Sequence, residues 1–508
     1  MKQIRFAYLA LVLTATLLLA ACGANNAPEN DLVVNVDAPA VETEEPVAEE
    51  DVSKKETEDV ILEFELNDIF RELLDGINTE HKAVTLFDGD YAQYLVRYEE
   101  PELDPSQYQV YIYDAPSGVP TTDIELTLEQ VTADMELYYK LLRSEYGSYT
   151  YFGGDEVFRP AIDAVIADCA AMETITLVNW VKSMWEHMSF VEDGHFSIME
   201  LKFGQYAVPF FFRNIKFDKT DEGYVAEDGR LVASVDGFED LDELFKLSLT
   251  VEGELVYYPV VLESFSEQRL KYGEVACSTT ILTVRFADGT TAGLFSEPYS
   301  HGNYATEYTV DTRVENGIPF VTMNMFIGIN GGNEFNDTAF RYRDSDILIM
   351  DLRTNSGGFL NMAVQWFTDY TLQEVWSHCL TFYEGQPDLL YEKHLNQPDK
   401  EFVPSENVVI LLTSKLTASC GDAFVDLAHN VENTLIVGEN TNGILTSGLG
   451  KWTLPNTGLY VTFGTNFFLH PEGDHFEEFR GYYPDIWVPA AKAEEAVMNF
   501  IAKNTTTN

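Results

Sequence analysis

Along this chain the hydrophobic positions change period more than once, and each change marks a different kind of element. From Thr127 to Met188 they fall at helical spacing, as in Met135, Leu137, Tyr138, Leu141 and Leu142, and again in Ile175, Leu177, Val178, Val181 and Met184. The spacing predicts a helical segment that ends at Asp193-Gly194-His195. Between about Val208 and Ser300 it gives way to short β-type runs punctuated by Gly and Asp. These are Gly229–Gly237, Glu254–Pro259 and Ile281–Phe286, and they predict a small β-rich domain. From Gly317 onward, apolar strands (Pro319–Met325, Asp346–Leu352, Val408–Thr413, Thr434–Val437) alternate with helical stretches (Met362–Tyr370, Gly421–His429), which is the pattern of an α/β layer structure. Before all of this, residues 60–120 mix a short helical pattern (Ile69 to Ile77) with a strand-like run at Tyr108–Tyr113 between Pro105 and Pro116. No internal repeat is present.

The amino terminus adds a destination. Lys2 and Arg5, an apolar run from Phe6 to Ala20 and then Leu19-Ala20-Ala21-Cys22-Gly23 form a charged region, a hydrophobic region and a small-residue cleavage site. The apolar run is too short to span a bilayer comfortably. Its ending in Cys resembles the bacterial lipoprotein signal, which implies that Cys22 becomes the lipidated first residue. From about Gly23 to Asp59 the chain holds no aromatic residue and is rich in Ala, Pro, Glu and Val, a composition that reads as a solvated tether.

Charge then narrows the partners. The net charge is −53, and without Lys2 and Arg5 there are 84 acidic against 29 basic residues. Nucleic acid, which demands a basic surface, is excluded as a partner. Past Cys22 the cysteines are Cys169, Cys277, Cys379 and Cys420, far apart and without paired spacing. They suggest neither a disulfide framework nor a zinc site, and nothing in the sequence calls for a metal or cofactor.

Two segments carry the candidate chemistry. Val408–Thr413 is an apolar run that leads through Ser414-Lys415-Leu416-Thr417-Ala418 into a helix start, with Ser419 at the junction. A hydroxyl there lies beside unpaired backbone N–H groups and the positive end of the helix dipole, so an oxyanion would find donors waiting. The same position suits an ordinary N-cap serine. The second segment is Asp346–Leu352 followed by Arg353-Thr354-Asn355-Ser356-Gly357-Gly358. The run reads as a strand buried on both faces, and the glycine pair lets backbone approach whatever occupies its carboxyl end, where α/β sheets bind ligands.

Taken together, Asp351-Leu352-Arg353-Thr354-Asn355-Ser356-Gly357-Gly358 and Thr417-Ala418-Ser419 resemble the S41-type peptidases, the tail-specific and C-terminal processing protease superfamily. Ile436-Val437-Gly438-Glu439-Asn440-Thr441-Asn442-Gly443 and Arg480-Gly481-Tyr482-Tyr483-Pro484-Asp485-Ile486 look like further signatures of it, so the resemblance spans about Gly317 to Val488. It implies a ClpP/crotonase-like α/β catalytic core, with an N-terminal helical segment and an inserted β-rich domain.

One position departs from the family. Its Ser–Lys members carry the lysine directly after the glycine that corresponds to Gly443, and in this chain that residue is Ile444. Ser414-Lys415 and Lys451 are the nearest lysines in sequence, and either serves only if the chain folds it back. A second branch, resembling the tricorn protease core, uses Ser, His and Glu instead. Val191-Glu192-Asp193-Gly194-His195-Phe196-Ser197-Ile198 matches the segment that brings the histidine, and Phe476-Glu477-Glu478-Phe479-Arg480-Gly481 the one that brings the glutamate. The resemblance therefore implies Ser419 as nucleophile, His195 as general base and Glu478, in preference to Glu477, as orienting acid. The oxyanion donors it implies are the N–H of Gly357 or Gly358 and that of Cys420. His470 and His475 are the rival bases, and Arg353 is expected to pair with Asp351 or a loop carboxylate.

The expected organisation is a lipoprotein signal peptide at 1–21, an acidic disordered tether at 22–60, a small mixed region at 61–125, the helical segment carrying His195 at 126–200, a β-rich domain at 201–310 and an α/β protease core at 311–502. Many family members carry a peptide-binding PDZ domain where the β-rich segment lies, but a Gly-Leu-Gly-Phe-like carboxylate-binding sequence is not evident in it. The function expected is a lipid-anchored serine endopeptidase outside the cytoplasm acting on peptides or protein tails. The alternative is a peptide-binding lipoprotein that kept the fold and lost catalysis, for which Ile444 is the motive.

Overall fold

The structure is a computed structural model that describes residues 60–84, 92–95, 103–110, 124–199, 201–266, 281–299, 308–327, 331–383, 402–471 and 476–507. The signal peptide with Cys22, the tether, Cys277 and His475 lie outside the described residues.

The centre is a twisted sheet whose middle strands are parallel. Ile318–Met323, Ile347–Asp351, Val408–Thr413, Thr434–Gly438 and Ile486–Trp487 lie side by side in that order, and Val310–Glu315 closes one edge antiparallel to the first. Because strand side chains alternate between faces, each apolar run supplies two cores at once. Val321, Met323, Leu348, Met350, Val409, Leu411 and Ile436 point to one face, where Phe335, Trp366, Phe367 and Phe424 from the helices Gly331–Tyr342, Leu360–Thr371 and Cys420–Ala428 cover them. Their neighbours Phe320, Ile347, Ile349, Val408, Ile410, Leu412, Leu435 and Val437 point to the other, against Phe70 and Leu74 of the helix Asp68–Ala83 and Ala493 and Phe500 of Ala490–Asn504. The result is a helix–sheet–helix sandwich. The predicted helix at Ile69–Ile77 runs longer than its apolar pattern, since Asn67 caps its start through the Phe70 N–H.

The β-rich segment joins this sheet. Phe245–Leu249 runs parallel to Ile486–Trp487, with Ser248 opposite Trp487, and Leu255–Ser266, Phe217–Thr220 and Gly223–Ala226 continue outward. Val232–Val235, Ile281–Phe286 and Thr291–Phe295 make a separate three-stranded sheet. Their shared core also takes in Ala418, Ile444 and Phe479, residues from the segments around Ser419 and Glu478.

The predicted helical segment consists of Leu128–Glu145, Gly154–Ala170 and Leu177–Met188. A capping box between Thr127 and Gln130 starts the first of them. The three pack on the hairpin Gly450–Leu454 and Leu459–Phe463 through Tyr138, Trp180, Trp452 and Phe463. Ser197–Ile198 then pairs with the second strand of that hairpin, Ile198 opposite Val461, which carries the chain out of the helices at a fixed place. The strand-like run at Tyr108 takes another form in its described part. Pro105 opens a 3-10 turn over Pro105–Gln107, and Gln109 makes only a single bridge to Trp452.

Among the described residues no helix is long and apolar enough to cross a membrane.

Candidate active site

Ser419 stands between the buried strand Val408–Thr413 and the helix Cys420–Ala428 with φ 54° and ψ −113°. An N-cap residue has extended backbone and a side chain bonded to the first turn. Ser419 has neither, because its hydroxyl makes no cap hydrogen bond. A left-handed conformation in a residue with a side chain costs about 1–3 kcal/mol and persists only where the surroundings impose it.

Those surroundings can be named. Asn355, fully buried, donates from Nδ2 to the Met323 carbonyl at 3.0 Å, accepts the Gly357 N–H on Oδ1 at 2.8 Å, and takes the Ala418 N–H on its own carbonyl at 2.9 Å. The Thr417 hydroxyl donates to the Leu352 carbonyl at 2.8 Å, and the Ser414 hydroxyl to that of Arg353 at 2.5 Å. The two segments singled out in the sequence are therefore buckled together one residue before the serine. Gly357, at φ 97°, lies so close that a Cβ on it would be 2.7 Å from the Ser419 Cβ and 3.0 Å from the Cys420 nitrogen.

This geometry separates the candidate oxyanion donors. The Gly357 N–H is already bonded to Asn355. Cys420 is the first helical residue, so its N–H has no intrahelical acceptor, and the Gly358 N–H has none among the described residues. Gly358, at φ 134°, allows the close approach to the Phe326 carbonyl that fixes this loop.

His195 lies in the loop between the helix Leu177–Met188 and the strand Ser197–Ile198. Its backbone N–H donates to Asp193 Oδ1 at 2.8 Å and its carbonyl accepts the Thr462 hydroxyl at 2.6 Å. Asp193 in turn takes the Tyr146 and Ser447 hydroxyls on Oδ2, at 2.7 and 2.6 Å, which ties the loop to the helical segment and to the strand-leading loop 443–449. The imidazole is buried, and burial pushes it down to about 4, against the Asp193 charge and the Ser447 carbonyl, which favour the protonated form. It is neutral at neutral pH, as a base must be. Its Nδ1 has no hydrogen-bond partner among the described residues, so neither Ser419 nor Glu478 is joined to it through that atom.

Glu478 acts on the loop instead of on the ring. Its Oε1 accepts the Gly194 N–H at 2.7 Å, and its Oε2 accepts the Leu445 and Thr446 N–H groups at 3.1 and 2.9 Å and the Thr446 hydroxyl at 2.7 Å. Burial and the nearby Asp193 raise it to about 8, against those donors. Glu477 is largely exposed and pairs with Arg480, which leaves Glu478 as the inward carboxylate. Ile444 packs on Gly194, where a Cβ would come within 2.0 Å of its Cγ2.

The lysines are accounted for. Lys415 is buried, and its Nζ donates to the carbonyls of Thr441, Asn442 and Phe479 at 2.8, 3.0 and 3.0 Å and approaches that of Arg480 at 3.3 Å. Burial lowers it to about 7, opposed by Asp422 and Glu439. The hydrogen-bond partners of Nζ are backbone carbonyls, and Ser419 is not among them. Asp422 accepts the Gly443 and Ile444 N–H groups at 3.0 and 3.3 Å, so the turn at Gly443 is held in place around Ile444. Lys451 lies over the Tyr460 ring at 4.5 Å. His470 stacks on Phe476 and meets the Tyr482 hydroxyl at 3.3 Å through Nδ1. Arg353 pairs with Asp351, as expected, and also with Glu494 of the helix Ala490–Asn504, while its Nη1 donates to the Ala490 carbonyl.

Sequence reasoning assigned no role to Asn355, Asp193 or Asp422. The first two lie inside the motifs already singled out, but only the paired distances reveal that their side chains hold backbone.

Residues 318–488 match Peptidase family S41, a stretch that contains Asn355, Gly357, Gly358, Ser419 and Glu478, with His195 upstream of it. The match covers part of the chain and supports a serine peptidase. Among solved structures, mature CPAF aligns at 13% identity over 74% of this chain and 96% of its own, with a TM-score of 0.36. The photosystem II D1 C-terminal processing protease aligns at 14% over 72% and 94%, with a TM-score of 0.34. The tricorn protease aligns at 13% over 73% of this chain and 35% of its own, also at 0.34.

Proposed function

We propose that this protein is a serine endopeptidase in which Ser419 attacks the peptide carbonyl, His195 takes its proton and returns it to the leaving amine, and the N–H groups of Cys420 and Gly358 receive the oxyanion. The observation that carries it is the backbone of Ser419: a strained strand-to-helix turn with an uncapped hydroxyl, the geometry that exposes a nucleophile. Glu478 enters as the residue that positions the His195 loop through Gly194. In free enzymes the nucleophile–base hydrogen bond is often long and tightens only with substrate, so the unbonded His195 Nδ1 is compatible with the role. The core is then of the ClpP/crotonase-like kind, with residues 201–310 inserted before it. Cys22 is read as the lipid anchor that holds the folded body outside the cytoplasm, on the strength of the signal-like amino terminus.

The test is cleavage of an unstructured protein substrate by the purified chain. Ser419→Ala and His195→Ala should each lower kcat by at least about 10³-fold. Undiminished cleavage by Ser419→Ala would sink the reading.

Two observations favour a second reading, a peptide-binding lipoprotein without catalysis: Ile444 stands at the lysine position, and His195 Nδ1 is not bonded to Ser419. Saturable peptide binding with no cleavage by the wild-type chain distinguishes it.

A further inference from the structure

At the far end of the helix that begins beside Ser419, His429 caps the carboxyl terminus and lies against His81, with ring centroids 4.6 Å apart. His81 comes from the last turn of the helix Asp68–Ala83, and its Nε2 is 2.9 Å from Oδ1 of Asp485. Asp485 is fixed from its other side, because Oδ2 accepts the Ile436 N–H at 2.7 Å. One nitrogen from each imidazole and one carboxylate oxygen lie within 4.8 Å of one another, and both histidines are buried. His81 Nδ1 is itself buried without a hydrogen-bond partner among the described residues.

We infer that His81, His429 and Asp485 form a site for a zinc-class divalent cation. Two imidazoles and a carboxylate are the donors that suit zinc and its first-row neighbours, and three protein ligands leave a fourth position for water. Tetrahedral ligands at about 2.0–2.1 Å stand roughly 3.4 Å apart, so His81 and Asp485, at 2.9 Å, need open a little and the three as a set, within 4.8 Å, shift only modestly. The Ile436 N–H orients the carboxylate as outer-shell partners do. Binding replaces the His81–Asp485 hydrogen bond: Nε2 presents its lone pair to the cation, and the neutral imidazole keeps its one proton on Nδ1. The ion ties together the amino-terminal helix, the end of the helix that begins at Cys420 and the segment before Ile486–Trp487. Like the cysteines, these three residues have no telltale spacing, since they lie at positions 81, 429 and 485.

The test uses the tag-free full chain, treated with EDTA, dialysed, and titrated with Co²⁺ in moderate salt to suppress loose binding to surface acids. A saturating ligand-field absorption at one Co²⁺ per chain, displaced by Zn²⁺, is expected. His81→Ala and His429→Ala should each weaken binding at least about 10-fold, and His187→Ala, which alters a partly exposed histidine beside Asp168, should leave it unchanged. Where His81→Ala does not fold, His429→Gln and Asp485→Asn carry the comparison, with circular dichroism confirming the fold. Absence of a saturating band, or a band unaltered in the folded ligand variants, overturns the site. The readout is independent of proteolysis, so it stands or falls apart from the proposed activity.

Discussion

The Oε1 of Glu478 accepts the backbone N–H of Gly194 at 2.7 Å, so a carboxyl group far along the chain fixes the Asp193–Gly194 peptide unit, one residue before His195. In the familiar serine triad the acid bonds the imidazole directly. In this chain Glu478 spends both oxygens on backbone and on the Thr446 hydroxyl, and Asp193, Thr462 and the Ser447 carbonyl complete the support of the histidine.

Glu478→Gln keeps one acceptor and sets an amide N–H₂ against groups that are themselves donors. A loss of about 1–3 kcal/mol in unfolding free energy is expected from urea titration. A fall in kcat of roughly 10–100-fold should accompany it, as expected for misplaced positioning groups. Unaltered kcat with unaltered stability contradicts the role.

Lys415 distinguishes a lysine base from a histidine base. Lys415→Met leaves the carbonyls of Thr441 and Asn442 without a donor and takes from that of Phe479 one of its two, the other being the Ala207 N–H, so the protein should lose at least ~2 kcal/mol of stability. A variant of full stability that has lost only turnover would restore lysine as the base.

Gly357→Ala introduces a Cβ 2.7 Å from that of Ser419 and 2.8 Å from the Ala418 carbonyl, at a φ of 97° that side chains rarely adopt. Because the obstacles are backbone and the nucleophile itself, activity should fall at least ~100-fold while destabilisation stays near ~1–3 kcal/mol. Comparable melting curves and turnover for Gly357→Ala and wild type contradict the close packing of these two segments.

The buried His195 gives stability a pH dependence. Its folded value of about 4 lies below the ordinary 6.5, so between those limits the unfolded chain binds the proton more readily and stability falls as the solution is acidified. The contribution is unchanged above about pH 6.5 and is lost by about pH 4, a span on the order of 3 kcal/mol. Urea midpoints of His195→Ala should therefore depend less on pH across this window than those of wild type. The acid limb of kcat/KM should likewise fall well below pH 6.5, since that parameter reports the base in the free enzyme.

Much of the layout was legible because periodicity reports burial. The apolar runs at Ile347–Asp351 and Val408–Thr413 are buried on both faces, and their strand character follows from that alone. Ser419 and the Gly357-Gly358 pair stand where the motifs put them, at the ends of adjacent parallel strands. Less was visible where function depends on which atom a side chain touches. Lys415 reads in sequence as one of the two nearest candidates for a lysine base, and only the distances around its Nζ show that its partners are backbone carbonyls. The Glu478 role depends on backbone brought together across distant segments, which no local pattern encodes. The β-rich segment looked self-contained because its strands are short, yet Ser248 opposite Trp487 carries it into the central sheet.

The central claim is that Ser419 is a nucleophile, and peptide mapping by mass spectrometry after treatment with a fluorophosphonate tests it most directly. The adduct is expected on Ser419 of the wild-type chain, absent from Ser419→Ala and formed far more slowly in His195→Ala. A folded wild-type protein that acquires no adduct on Ser419, or acquires it at the same rate without His195, contradicts that claim.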